Sequence, residues 1–385
     1  MWAGYRRVVP SASLELSVEQ ARRVAVRAQL LDADRPADLP TLVRHLTLLQ
    51  IDLTSADAPS ADLVCWSRLG ARYAPADLDA LLDTRTLVEY AGTVRPAEDL
   101  ALHRAEMSLW PGPGPLRDWQ RSYAAWVAAN DRCRRDILDA LRIEGPLPAR
   151  ELPDTCVVPW RSSGWTNERT VQRLLDFMER RGEVAVSSRD GRERLWDLAD
   201  RVYPDDPPVP LADALAERAR RRLVALGIAR PARAETQGEP NDVGAAGEPV
   251  TVAGVRGAWR VDPGQLARVD EPLRGRVALL SPLDRLVYDR KRMAELFAFD
   301  YQLEMYKPVQ QRRWGYYALP VLVGERLVGK VDATADDRSG LLRLHALHED
   351  EPFDAATRAA VEAEIADLAA RLGLGLTDER VSSSR

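Results

Sequence analysis

Apolar residues recur along this chain at two spacings, and the switches between them mark its elements. Residues 17–31 (SVEQARRVAVRAQLL) set Val18, Ala21, Val24, Ala25, Ala28 and Leu31 three or four apart, one face of a helix. Ser17 with Gln20 three residues on is the pair that satisfies the first free amides of a helix. Residues 39–49 repeat the pattern through Leu42, Val43, Leu46 and Leu49. Shorter helices are predicted over 61–69 and 75–82, a strand over 87–95 and a helix over 96–109. A long helix is predicted over 119–141, carrying Trp126, Val127, Ile137, Leu138 and Leu141. Residues 166–181 bury a stripe of Val171, Leu174, Leu175 and Met178. Residues 183–187 and 194–198 then alternate as two strands about Arg189-Asp190-Gly191, a strong hairpin signal. A further helix spans 211–226. Towards the C-terminus, strands are predicted over 277–280, 316–323, 326–333 and 341–348, with helices over 289–297 and 354–372 and a disordered tail over 377–385.

Helices followed by strand pairs suit winged-helix units. The expected class is therefore α+β: tandem winged-helix domains with a small C-terminal antiparallel β-sheet region. The stiff segment 110–116 (WPGPGPL) and the polar, Gly/Pro/Glu-rich stretch 228–250 suggest where the units end. The expected divisions are 1–112, 113–205, 206–276 and 277–385. A chain of 385 residues is long for one ordinary domain, so several small ones are expected.

Charge changes the picture in one respect. The formal net charge is −5, so no global positive field exists and a nucleic-acid partner would need local basic patches. Three scattered cysteines (Cys65, Cys133, Cys156) speak for a reducing compartment and against a disulfide framework or a zinc cluster. The N-terminus carries no long apolar run, and no stretch is long and apolar enough to cross a membrane, so a cytoplasmic monomer is expected.

Candidate chemistry is sparse. Gln50 and Asp52 flank Ile51 at the end of an apolar segment. On extended backbone, positions two apart face the same way, so both could line one cavity. From spacing alone Asp52 reads first as a cap of the following segment. Arg169, Arg173, Arg180 and Arg181 decorate the 166–181 helix, and Arg189, Arg192 and Arg194 the hairpin after it. They would suit phosphate contacts. They equally suit a solvated charged face, since Glu168, Glu179, Glu183 and Glu193 dilute the patch. His45 reads as a half-buried, hydrogen-bonded histidine. His345 and His348, three apart on a strand, point to opposite faces, so no shared metal is expected. Asp284, Arg285, Arg290, Arg292, Arg312 and Arg313 make the C-terminal part locally basic. The only lysines, Lys291, Lys307 and Lys330, give little support to Schiff-base chemistry, and no cofactor is called for.

Several short blocks, taken in order, resemble a bacterial family of winged-helix DNA glycosylases of the AlkX/YcaQ and AlkZ types. They are Leu48–Asp52, Trp66-Ser67-Arg68-Leu69-Gly70, Glu89-Tyr90, Gly182-Glu183-Val184-Ala185-Val186, Leu280-Ser281-Pro282-Leu283-Asp284-Arg285 and Trp314-Gly315-Tyr316-Tyr317. The resemblance implies that Gln50 and Asp52 form the catalytic Gln-apolar-Asp motif. It places that motif in residues 1–112, makes 206–276 a shortened third winged helix, and implies a groove that leaves the base stacked. The implied activity is monofunctional hydrolysis of the N-glycosidic bond of alkylated purines in double-stranded DNA. 7-Alkylguanine adducts are the leading substrate, with crosslinks or bulky natural-product adducts further members of the class. Repair, or self-resistance to a genotoxin, would be the purpose. Arg68, Arg169, Arg173, Arg189, Arg192, Arg312 and Arg313 are then the expected DNA contacts. The Trp and His that follow Glu-Tyr in the crosslink-unhooking branch are replaced by Ala91-Gly92-Thr93, so the resemblance supports glycosylase chemistry more than crosslink unhooking, and an expected lysine is Gln311. The competing reading is a non-catalytic winged-helix protein that regulates through DNA or sequesters a drug.

Overall fold

A computed structural model describes residues 14–51, 57–161, 169–232 and 239–380. The fold is mixed α+β, with short helices and four separate sheets. The chain forms two compact units, one of residues 36–218 and one of residues 1–35 with 219–385. The expected first segment, 1–112, is therefore divided, because its N-terminal strand pairs far along the chain.

In the 36–218 unit, the helices Leu39–Leu46, Ser60–Leu69 and Pro75–Asp83 accompany a three-stranded sheet whose first strand follows the first helix. Its order is Leu49–Gln50, Thr93–Pro96, Leu87–Tyr90, all antiparallel. The strand expected over 87–95 is a hairpin. Ala91 and Gly92 both take positive φ, 51° and 76°, which is the geometry of a tight two-residue turn. The expected long helix is likewise two, Asp118–Ala129 and Asp131–Glu144. Asn130, 1% exposed, breaks it. Its side-chain oxygen accepts from the amides of Val157 and Val158 at 3.0 Å, and its amide donates to the Val158 carbonyl at 3.0 Å. Leu174, Leu175, Phe177 and Met178 of the Thr170–Arg180 helix pack with Val127, Ile137, Leu141 and Trp196. The hairpin Val184–Asp190/Glu193–Leu198 follows as the pattern predicts, turning at Gly191.

In the other unit, the Ser17/Gln20 capping box forms at 3.0 and 2.8 Å and starts the helix Val18–Ala28. Leu14–Leu16 pairs in parallel with Glu248–Val252, which continues through Val255–Val261 to Ile228–Ala229. A five-stranded sheet runs Val277–Leu279, Leu319–Val323, Arg326–Asp336, Leu341–Glu349, Gly375–Asp378. The last strand corrects the expectation of a disordered tail as far as Asp378, and the rest of that expectation, from 381, lies outside the described residues. Ala21, Val24, Trp259, Leu280, Leu296 and Trp314 belong to the core between the two sheets' faces and these helices.

Two polar features reinforce this core. Arg292, 3% exposed, donates to the carbonyls of Leu226 and Ile228 at 2.7 and 2.9 Å, satisfying a helix end that would otherwise be orphaned. Gly315 lies so close to the Asp332 carboxylate that an added Cβ would sit 2.0 Å from its carbon. With its φ of 123° as well, this position favours glycine, which accounts for the Gly of the Trp-Gly-Tyr-Tyr block.

Candidate nucleic-acid interface

Gln50 ends an edge strand. Leu49, 1% exposed, anchors it in the core opposite Val94, while Gln50 pairs with Thr93 and is half-buried. The Ile51 amide continues the ladder to the Gly92 carbonyl at 3.1 Å. Asp52 lies outside the described residues.

Behind this strand is a buried polar network that periodicity does not reveal. Thr93 donates its hydroxyl to the Tyr90 carbonyl at 2.8 Å and accepts from Arg95 Nε at 2.9 Å. Arg95 reaches His103 Nε2 at 3.5 Å, and the His103 ring lies 5.1 Å from Tyr90. His103 is 3% exposed. The tertiary fold thus brings a histidine to the Glu-Tyr block from thirteen residues beyond Tyr90. Nothing in the spacing signals it; only the apolar run around an isolated His hints at burial.

Glu89, 4% exposed, is the hub of the neighbouring charge cluster. Its carboxylate accepts a two-pronged pair from Arg189, at 3.0 and 2.8 Å, and a third bond from Arg194 Nε at 2.9 Å. The Tyr203 hydroxyl donates to the Glu89 carbonyl at 3.1 Å. Asp176 stands 3.7 Å from Arg194. Glu179, on the same helix, is buried with one carboxylate oxygen lacking a hydrogen-bond partner among the described residues. Burial, opposed by Arg194 and reinforced by Glu89 and Asp176, pushes its carboxyl up to about 8. Asp176 is raised too, again chiefly by burial.

These contacts redistribute the expected DNA-binding arginines. Arg68 is 0% exposed and donates to the Ser67 hydroxyl at 2.9 Å, so no phosphate can reach it. Arg173 is inserted among the rings of Tyr123, Trp160 and Phe177, at 5.5, 4.8 and 4.4 Å, and is held by cation–π attraction. Arg189 is consumed by Glu89. Arg169, at the start of its helix, and Arg192, at the hairpin turn, remain solvent-exposed.

In the other unit, Arg290 and Arg292 serve the fold: Arg290 donates to the carbonyls of Val287 and Pro282 at 2.8 Å and stacks on Tyr301. Arg312 and Arg313 sit on a loop braced by Glu304, 2% exposed, which accepts from the Arg313 and Trp314 amides at 2.6 and 2.8 Å and pairs with Lys307 at 2.8 Å. Arg313 also pairs with Asp300 at 2.7 Å, both well exposed, and such a pair is readily exchanged. Tyr306 and Val309 project from the same loop, 74% and 68% exposed. Lys330, 1% exposed, is locked by Asp350 at 2.6 and 2.8 Å and faces Phe299 and Trp314. His345 and His348 bond to separate partners, Thr334 Oγ1 at 3.2 Å and the Trp314 carbonyl at 3.1 Å.

The sequence profile of one protein family, described as DNA glycosylase AlkZ-like, matches residues 43–371. Among solved structures, the Streptomyces sahachiroi DNA glycosylase AlkZ is similar, with a TM-score of 0.61 and 17% sequence identity. The match covers 95% of this chain and 100% of that one. At this identity the likeness speaks for the fold alone. No helix among the described residues is long and apolar enough to cross a membrane.

Proposed function

Because the chain belongs to the AlkZ-like DNA glycosylase family, we propose that it hydrolyses the N-glycosidic bond of alkylated purines in duplex DNA, 7-alkylguanines first among them. Gln50 and Asp52 are the catalytic pair in this reading. The observation that carries it is the family match over residues 43–371, which spans the Gln50-Ile51-Asp52 motif. A half-buried Gln50 on an edge strand is consistent with it.

Alkylation at the ring nitrogen leaves a cationic base that is already a good leaving group. What remains is to stabilise positive charge developing on the deoxyribose, as in other oxocarbenium-like reactions. A fixed carboxylate does this electrostatically, and the same group can orient and deprotonate the attacking water. Asp52 takes that role. Gln50, with one amide donor pair and one carbonyl acceptor, holds the water or the carboxylate. Lys330 and Lys307 are engaged in ion pairs, which favours hydrolysis over a Schiff-base route.

Helix Thr170–Arg180 followed by its hairpin is read as a winged-helix unit. Exposed Arg169 and Arg192 supply phosphate contacts there, and Arg312 and Arg313 supply them in the C-terminal loop. Base release from duplex containing 7-methylguanine tests the whole reading. The wild type is expected to release the base, and Asp52→Asn to retain binding while losing about 10²–10³ in rate. Tight binding to DNA or drug with no base release would hand the chain to the sequestering alternative.

A further inference from the structure

Cys133 and Cys156 are separated by two elements in sequence, and nothing in their spacing signals a site. In the fold they meet. Cys133 lies on the buried side of the helix Asp131–Glu144, 0% exposed, and its thiol donates to the Pro153 carbonyl at 3.5 Å. The segment after Leu152 folds back over that helix. Cys133 Sγ, Cys156 Sγ and a carboxylate oxygen of Asp154 all lie within 4.8 Å of one another.

The backbone carrying these groups is held before any ligand arrives. Asn130 accepts from the amides of Val157 and Val158 and donates to the Val158 carbonyl. The Thr155 hydroxyl donates to Asp136 at 2.6 Å, one turn beyond Cys133 on the same helix. Trp160 donates its amide to the Thr170 hydroxyl at 3.1 Å. Burial is graded across the cluster: Cys133 is buried, Cys156 half-buried and Asp154 exposed. One side of the donor set therefore opens to solvent.

We propose that Cys133, Cys156 and Asp154 form a metal site for a thiophilic divalent cation, zinc by preference, with a water in the fourth position. Two sulfurs select a borderline-soft ion over magnesium or calcium. Tetrahedral zinc with bonds of about 2.3 Å to sulfur and about 2.0–2.2 Å to oxygen needs donor separations of about 3.5–3.8 Å. Donor atoms all within 4.8 Å of one another need to close by at most about 1.3 Å, within reach of side-chain adjustment. Binding releases the two thiol protons to solvent and couples the 152–160 segment to its helix, so the ion acts as a structural clip. The site is independent of the proposed glycosylase chemistry.

Cobalt(II) titration of the reduced, metal-stripped full-length protein tests this. The expected result is one equivalent bound, with thiolate-to-cobalt charge-transfer absorption and the intense visible bands of tetrahedral cobalt, both lost on adding zinc. Zinc should also raise the melting temperature of the stripped protein. Asp154→Asn, an exposed position whose replacement leaves the core intact, should weaken binding by about 10- to 100-fold. Cys156→Ser should abolish the charge-transfer band. Absence of cobalt uptake by the reduced wild type overturns the proposal. So does uptake that Cys156→Ser and Asp154→Asn leave unchanged, and so does a protein isolated from reducing cells with Cys133 and Cys156 joined as a disulfide, which would make the pair a covalent clip instead.

Discussion

Glu89 shows how one buried carboxylate decides the fate of several cations. With Arg189 and Arg194 both donating to it, two arginines of the hairpin point inward. Arg192, between them, does not. Their consequences for DNA binding should separate. Arg192→Ala is expected to lower the slope of log affinity against log salt by about 1, the signature of one lost phosphate contact. Arg189→Ala should leave that slope unchanged and cost about 1–3 kcal/mol in urea unfolding, because it leaves Glu89 underpaired. Equal salt slopes for the two variants would reverse the assignment.

Glu179 gives a second prediction at the same scale. Its carboxyl stands at about 8 in the fold, against an ordinary 4.5. The folded protein thus holds a proton that the unfolded chain gives up above 4.5. A raised carboxyl favours folding fully below the unfolded value, and that contribution drains away as pH rises through 8. Glu179→Gln, which imitates the protonated acid, should gain a few kcal/mol over wild type near about pH 8 and next to nothing near about pH 4. Thermal melts of both proteins across that range measure it, and a gain of equal size at both ends would point to packing rather than to the proton.

At the scale of elements, periodicity served well where a single face is buried and poorly where a turn or a polar residue intervenes. The Val18–Ala28 helix, the Thr170–Arg180 helix and the hairpin after it follow their patterns closely. The 87–95 region does not, because Ala91-Gly92 lacks the Asn or Asp that usually announces a two-residue turn. The break at Asn130 also escapes notice. Asparagine favours helix caps, but one such residue does not force a break in an apolar-periodic run; here it binds the 157–158 backbone, which only long-range packing supplies. Gln50 illustrates the intermediate case: its place at the end of an apolar segment was legible, its position on an edge strand was not.

For the whole molecule, the N-terminal strand and helix belong with the C-terminal half. Leu14–Leu16 caps the edge of a sheet built from residues 228–261, and Ala21, Val24 and Val26 enter the core with Trp259 and Leu296. Deleting residues 1–35 should therefore expose the 219–385 region to protease while sparing 36–218. Mass spectrometry of limited-digestion fragments reads the outcome. First cleavage within 36–218 would contradict the division.

What the amino-acid order determined alone is what local physics governs: helices from spacing, the capping box, the Asp-Gly hairpin, the α+β class, and family-like blocks in a fixed sequence. What only the tertiary structure decided is where charges and thiols end up. Arg68, Arg173 and Arg189 look in sequence like Arg192, yet one is sealed in the core, one lies among aromatic rings and one is spent on a carboxylate. Cys133 and Cys156 likewise read as scattered and prove adjacent. A side chain's partner is set by contacts between residues remote along the chain, and spacing carries no record of those.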